Sequence, residues 1–456
     1  MIESTPQGGV RAAIGWFAVG VLLAAYALSF LDRQLITLLV QPIKLDLRIS
    51  DTQMGLLQGP AFGLFYATMG LPLGWLADRV HRVRLMAVAI VFWSVMTFTS
   101  GYASEYWMLL LCRFGVGFGE AALVPAAVSL LADLFAPQRR ALPISIFTAG
   151  LAVGAGLSLI VGGALISFAA EDAVSLPLIG TWLTGHEPWQ VVFMLAGLAG
   201  LPVALLVLCV AEPRARITSS FTLGAVGAAG VAGQRDEWRE LGAAWRHLVA
   251  EQAFFRPMLA SMAALFVITT AVSAWLPSVF IRDHGWTPME VGAQLGPVIL
   301  GCALVGNVLA GFVSRVLVAR GIADATLRTI QGGALAMVPL AAVTGFSTSP
   351  VLALVLAGAL FCATSVTFSI ASLSFVEVTP AWMRAQVVAL YLLLANFFGL
   401  SLGPPGVGLL TDSGLPVVAS VGAALGTICL IAGIPGLWWL ARARRAFVPA
   451  AARQAS

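Results

Sequence analysis

Apolar runs of about 20 residues follow one another to the end of this chain, each long enough to cross a hydrocarbon layer roughly 30 Å thick as a helix. They fall at approximately 13–41, 52–77, 84–102, 106–133, 141–168, 189–211, 256–281, 288–314, 327–346, 350–377, 384–411 and 416–441, twelve in all. An open sheet cannot satisfy its backbone in lipid, so the expected fold is an all-α polytopic membrane protein. With 59% hydrophobic and 10% charged residues, the chain lies far from the balance of soluble domains. The first run is too long for a signal-peptide core and lacks a small-residue cleavage site, so it is read as a retained span, with no targeting peptide.

All but five of the 25 Lys and Arg residues lie in the segments that twelve spans assign to one side, together with both termini. Lys44, Arg48 and Arg282 lie on the other side, and Arg33 and Arg113 are inside spans. Because cytoplasmic loops carry the excess of Lys and Arg, both termini are expected in the cytoplasm, in a multi-pass protein of a cell membrane, plasma or inner. The net charge of +4 therefore reports topology and implies no nucleic acid partner.

The longest interruption, 212–255, divides six spans from six. Its Gly/Ala-rich first part reads as flexible. Its second part sets Trp238, Leu241, Trp245 and Leu248 on one helical face, which suits either a helix on the inner membrane surface or an ordinary solvated linker helix. Shifting the second half by 237 residues aligns Ser50–Pro60 with Thr287–Pro297; both begin with a capping box, Ser50 with Gln53 and Thr287 with Glu290. Gly55, Gly59, Pro60 and Gly74 then match Gly292, Gly296, Pro297 and Gly311. The expected organisation is thus twelve transmembrane helices in two pseudo-symmetric six-helix bundles, residues 1–211 and 256–441, joined by the linker 212–255 and followed by a cytoplasmic tail, 442–456. Two such bundles enclose a midplane cavity that rocking opens to either side, which is a transporter's geometry.

Other classes fit worse. An intramembrane enzyme needs a nucleophile with a base, or a metal set, at membrane depth. The four histidines (His81, His186, His247, His284) lie in or near loops without ligand spacing, and the five cysteines (Cys112, Cys209, Cys302, Cys362, Cys429) are isolated within spans, so neither a metal site nor a disulfide framework is expected. A channel wants rings from symmetric subunits, which a two-fold repeat does not supply. No phosphate-cradling loop is visible, which disfavours pumping by ATP, and no cofactor is implied. The protein is expected to work as a monomer.

Between spans 2 and 3 stands Gly74–Arg84 (GWLADRVHRVR). A glycine on a helix face permits close approach, and the acid Asp78 at a helix end can receive the N–H groups of a neighbouring helix start. The expected neighbour is span 11, entered through Thr379–Arg384 (TPAWMR), with Thr379 as N-cap and Pro380 at the first helical position. A cytoplasmic gate of Gly74, Asp78, Arg79, Arg82 and Arg384 would hold the halves together there; the alternative is a basic loop serving topology alone.

This stretch resembles the loop signature of the major facilitator superfamily, with His81 in place of the usual glycine and Arg315 opposite Asp78 in the second half. Asp32-Arg33, Gln41–Leu47 (QPIKLDL), Ser50–Leu57 (SDTQMGLL) and Ala132–Arg140 (ADLFAPQRR) are similar to its spinster-like branch, as are Pro380 to Arg384 and Gly399–Gly408 (GLSLGPPGVG). The resemblance implies the major facilitator fold and transport of amphipathic lipids, sphingosine-1-phosphate and lysophospholipids among them, with proton coupling.

Span 1 carries Asp32 and Arg33 side by side, although a charge at a helix centre costs about 2.5–3.5 kcal/mol or more in lipid. Span 4 carries Arg113 and Glu120, seven residues and two turns apart, hence on one face and roughly 10 Å apart along the axis. The depths of the four overlap, so a neutral cluster of two acids and two arginines on facing helices is expected. Glu120 is the candidate proton carrier, Asp32 its partner, and Arg33 and Arg113 the candidate hold on an anionic head group. In the resembling family these four positions are regarded as coupling and binding residues. The alternative is a static salt-bridge lock between spans 1 and 4.

The second half has no such charges in its spans. Span 10 offers Ser365, Ser369 and Ser372 on one face, either as polar cavity groups or as helix-packing residues. Gly150–Gly156 and Gly162-Gly163 on span 5 look like an antiporter-type glycine run, or ordinary close packing. The substrate expected is amphipathic, a lysophospholipid or a sphingosine-1-phosphate-like lipid, with protons and the surrounding membrane lipids as the other partners; a drug/proton antiporter or small organic-anion porter is the alternative.

Overall fold

The computed structural model describes residues 6–136, 139–171, 185–213, 252–380 and 383–455. The surface helix expected around Trp238 to Leu248 falls outside them. Span 1 is α1 (Pro6–Leu38), continued by α2 (Val40–Leu47), and span 2 is α3 (Asp51–Gln58) followed by α4 (Pro60–Arg79). Span 3 is α5 (Arg82–Ser100), and span 4 is split into α6 (Tyr106–Glu120) and α7 (Leu123–Leu134). Spans 5 and 6 are α8 (Ala141–Glu171) and α9 (Pro188–Leu208). The second half runs α10 (Gln252–Arg282), α11 (Pro288–Ala319), α12 (Ala325–Phe346), α13 (Pro350–Ser369) with α14 (Ala371–Glu377), α15 (Arg384–Asp412) and α16 (Val421–Ala455).

Eleven spans among the described residues are long and apolar enough to cross a membrane. The twelfth of the sequence reading is α4, 20 residues long, diluted by Tyr66, Thr68, Pro72 and its glycines. Three of the spans read as continuous are broken where a proline withdraws a backbone donor. Pro42 leaves the carbonyl of Leu38 without its helical partner, Pro60 that of Leu56, and Pro125 that of Ala121, and the helices divide at Leu39, Gly59 and Ala121–Ala122. The break of span 10 at Ile370 has no proline or glycine to account for it.

Two boundaries also move. Residues 416–418 form a 3-10 turn ahead of α16, and α16 runs on through the residues read as a tail to Ala455. The alanine- and arginine-rich stretch is a good helix former. Leu440, Ala443, Phe447 and Ala450 are buried at helical spacing, and Phe447 lies 5.7 Å from the ring of Phe254 at the start of α10.

The halves meet along three pairs of helices: α3 and α4 against α15, α8 against α11, and α1 against α10. Lipid offers no hydrophobic drive for this, so close backbone packing must supply the attraction. Gly55 and Gly59 in the first half, and their matches Gly292 and Gly296 in the second, perform the same task. A Cβ at Gly59 would lie 2.2 Å from the carbonyl oxygen of Leu400 on α15, and one at Gly292 2.4 Å from that of Leu159 on α8. Both repeat copies of the capping box are closed as well.

Candidate functional site

The four membrane-depth charges come together inside the first half, between α1, α4, α5 and α6. Asp32, Arg113 and Glu120 are 1%, 2% and 1% exposed. Arg33 alone is half-buried; its Nε donates to Glu120 Oε2 at 2.6 Å. Its guanidinium also lies 4.4 Å from the ring centres of both Phe62 and Tyr66, and 4.9 Å from that of Phe30. Desolvated cation–π contacts of this kind favour the charged arginine. Arg33 is thus held by one acid and a cage of three aromatic rings.

The other acid and arginine meet differently from the expectation. Arg113 donates through Nη1 to the backbone oxygen of Asp32 at 3.3 Å, while the Asp32 carboxylate turns toward Trp93 and Thr97 of α5. Arg113 Nε and Glu120 Oε1 are buried with no hydrogen-bond partner among the described residues. These two atoms retain unused hydrogen-bonding capacity. Glu120 sits in α6 just before the Ala121–Ala122 break, so it occupies the last turn of a helix whose continuation is interrupted.

Of the gate residues, Arg82 has a place of its own. Arg82 is fully buried and binds Glu212 beyond α9, through its backbone N–H at 2.9 Å, its Nε at 3.1 Å and its Nη2, and Asp133 of α7 at 2.7 Å. All of these lie within the first half, so Arg82 ties spans 3, 4 and 6 together. Arg79 is exposed, stacked 4.0 Å from its own neighbour Trp75 and bonded to the Trp75 carbonyl at 3.2 Å. Asp78 is exposed at the end of α4. A Cβ at Gly74 would meet only Pro125, at 3.5 Å, an ordinary contact.

At span 11 the N–H groups that the expected cap would bind, those of Ala381 and Trp382, lie outside the described residues. Thr379 Oγ1 donates back to the Phe375 carbonyl at 2.7 Å, and so closes span 10. The helix α15 starts only at Arg384, whose Nε donates to the Thr379 carbonyl at 3.1 Å. The substitution of His81 for glycine costs the turn nothing: its φ of −69° suits any residue, and its Nδ1 accepts the Arg84 N–H as an N-cap.

The serine face of span 10 is not preserved. Ser365 packs on α11, where a Cβ at Gly306 would lie 2.8 Å from its own Cβ, and the break at Ile370 separates exposed Ser369 from half-buried Ser372. On span 5, Gly154 packs against α1 and Gly163 against Pro288 of α11, which is close packing between helices.

Sequence reasoning missed a second set of charges, at the opposite end of the halves from Asp78. Asp412, at the end of α15, accepts the backbone N–H groups of Asp51 at 3.1 Å and Thr52 at 2.7 Å, and the Thr52 hydroxyl at 2.6 Å. Arg282, at the end of α10, donates to both carboxylate oxygens of Asp51, at 2.9 and 3.0 Å, and Lys44 binds the same carboxylate. An acid on the N-terminus of a facing helix is the device expected of Asp78, here built on the same pair of spans with the roles exchanged. A signal existed in the chain: Lys44 and Arg282 are two of the three basic residues on the basic-poor side, and a misplaced charge calls for a partner. The halves are thus latched at the Asp51 end.

The Major Facilitator Superfamily model matches residues 22–404. An MFS-type efflux pump of Mycolicibacterium smegmatis is 28% identical over 435 residues, 94% of this chain and 93% of that protein. The sphingosine-1-phosphate transporter of Danio rerio is 27% identical over 272 residues, 58% of this chain and 47% of that one. Among solved structures, a bacterial homolog of the human lysosomal transporter Spinster, inward-facing and unoccupied, superposes with a TM-score of 0.76 at 24% identity, covering 98% of both chains. Twelve spans, a two-fold repeat whose matched glycines join the halves, and this match lead to one conclusion: the chain belongs to the major facilitator superfamily, and it is a membrane transporter, not an enzyme.

Proposed function

We propose that the protein is a secondary transporter of an amphipathic organic anion, a lysophospholipid or a sphingosine-1-phosphate-like lipid, working by alternating access with proton exchange at Glu120. The observation that carries this reading is Arg33: of the four membrane-depth charges it alone is half-buried, and a single ion pair of 2.6 Å to Glu120 satisfies it. Protonating Glu120 removes the charge that holds Arg33 and frees a guanidinium for an anionic head group. Binding of the anion in turn favours the protonated acid, so proton and substrate are linked through one arginine. Asp32, with Trp93 and Thr97 beside it, and Arg113 supply the second half of the balance.

The apolar end of such a substrate has a matching surface. Leu304, Val305, Val308, Leu309 and Phe312 of α11 line an apolar groove of about 450 Å³ that carries no charged side chain. The gate reading of Asp78 is kept within this proposal, with the termini on the cytoplasmic side: Asp78 holds the start of span 11 at one end of the halves, and the latch at Asp51 and Asp412 holds the other, each released in turn. A drug/proton antiporter is the second reading, favoured by the efflux pump that matches the chain almost end to end.

Proteoliposomes test this. Uptake of lysophospholipid, sphingoid phosphate and small dicarboxylates is measured with and without a pH gradient. The expected result is lipid transport that the gradient drives and that loses this dependence in Glu120→Gln. Equal gradient-driven transport by the variant removes Glu120 from coupling, and transport of cationic drugs alone supports the second reading.

A further inference from the structure

At the basic end of the second half, a cavity of about 390 Å³ lies between α12 and the extension of α16, lined by Asp324, Gln331, Ala441, Arg444 and Arg445. Its size falls within the range of small-ligand sites. Arg444 Nε donates to Asp324 Oδ2 and Arg328 Nε to Asp324 Oδ1, each at 2.7 Å, so both carboxylate oxygens are taken. Arg444 Nη1 binds the Gln331 amide oxygen. Arg445 is exposed and has no ion pair or hydrogen bond among the described residues. The lining thus holds two arginines against one acid, an excess of one positive charge, and Arg328 adds a further cation beside Asp324.

Its depth is marked on the same helix. Trp438 and Trp439 stand one to two turns before the cavity, with Arg442 stacked 4.0 Å from the Trp438 ring. Paired tryptophans and a stacked arginine are anchors of the head-group level of a membrane. Basic pockets between helices at that level suit phosphate-bearing lipids.

We propose that this cavity binds the phosphate of an anionic lipid head group from the leaflet at the basic end, with Arg445 as its free hold and Arg444, positioned by Asp324 and Gln331, as its fixed one. The site is independent of the transported substrate and of the charge cluster around Arg33. Bound lipid would brace α16 against α12 and so stiffen the second half.

The full-length protein in phosphatidylcholine nanodiscs, with and without added phosphatidylglycerol, provides the test. Native mass spectrometry should retain phosphatidylglycerol on the protein, and its presence should raise Tm. Arg445→Gln should weaken retention about fivefold, the effect of one arginine at a membrane surface. Arg442→Gln removes the same charge from the same helix outside the cavity, and should weaken retention distinctly less than Arg445→Gln. Equal losses in both variants, or none in Arg445→Gln, would overturn the site. Inorganic phosphate added to phosphatidylcholine discs separates the two sources of the anion. A Tm rise that Arg445→Gln abolishes would support the anion site and assign it a soluble phosphate as well; its absence beside a phosphatidylglycerol effect assigns the site to lipid.

Discussion

The start of the third helix in each half is tied to the end of the sixth, but with opposite charge at the centre. In the first half Arg82 receives Glu212 and Asp133; in the second Asp324 receives Arg444 and Arg328. A guanidinium has five N–H groups, and two carboxylates can consume most of them, which closes the first junction into a buried knot. A carboxylate at the centre is saturated by two arginines whose remaining N–H groups point elsewhere, and the second junction stays open around a cavity. The architecture requires a tie at this place, while the sign at its centre decides whether the tie is sealed or available to a ligand.

The largest expected effect breaks the sealed knot. Arg82→Gln leaves Glu212, which is 6% exposed, without its cation, and a buried pair broken on one side costs about 3–5 kcal/mol. The counterpart Arg444→Gln, on a side chain 34% exposed, should cost about 1 kcal/mol or less. Thermal unfolding in one detergent compares them directly, and equal losses would abolish the distinction between the two junctions.

How much of this was legible in the chain follows the same division between local and distant effects. The spans, the repeat and the capping boxes are properties of short stretches, and Gly59 and Gly292 could be matched by spacing alone. The breaks at Pro42, Pro60 and Pro125 were legible in principle, because each proline withdraws a donor at a known offset. The gathering of Asp32, Arg33, Arg113 and Glu120 was legible because charges in lipid must find one another. Their geometry was not: whether Arg113 meets the Asp32 carboxylate or its carbonyl depends on rotamers set by Trp93 and Phe62. The Asp412 latch joins residues 360 positions apart, and nothing near Thr52 or Asp412 in sequence names the other. Arg82 was read as part of a gate because its motif names the loop and leaves the partners, Asp133 and Glu212, unspecified.

A smaller effect sharpens the comparison at the seams. Gly59 and Gly296 are matched by the repeat, but a Cβ at Gly59 would meet the Leu400 backbone oxygen at 2.2 Å, whereas one at Gly296 would meet Ile160 Cγ1 at 2.7 Å and the nearest backbone oxygen, that of Gly156, only at 2.9 Å. Gly59→Ala should therefore cost about 1–3 kcal/mol, the usual penalty of overpacking, and Gly296→Ala less. Both are read as Tm in detergent. A greater loss at Gly296 would mean that the seam between α8 and α11 is the more rigid one.

The smallest effect concerns acid. Partial burial works against ionisation of Asp324, but the hydrogen bonds from Arg444 and Arg328 outweigh it and hold its carboxyl below the ordinary aspartate value. A carboxyl whose folded value is depressed adds stability above its unfolded value, about pH 3.9, and loses that contribution as pH falls through the folded value. The gap in Tm between the parent and Asp324→Asn should therefore be full at neutral pH, worth under about 1 kcal/mol for a pair this close to solvent, and should close below about pH 4. A gap that persists unchanged into acid would assign the role of Asp324 to its place ahead of α12 and to packing, with the charge at the centre of the second junction incidental.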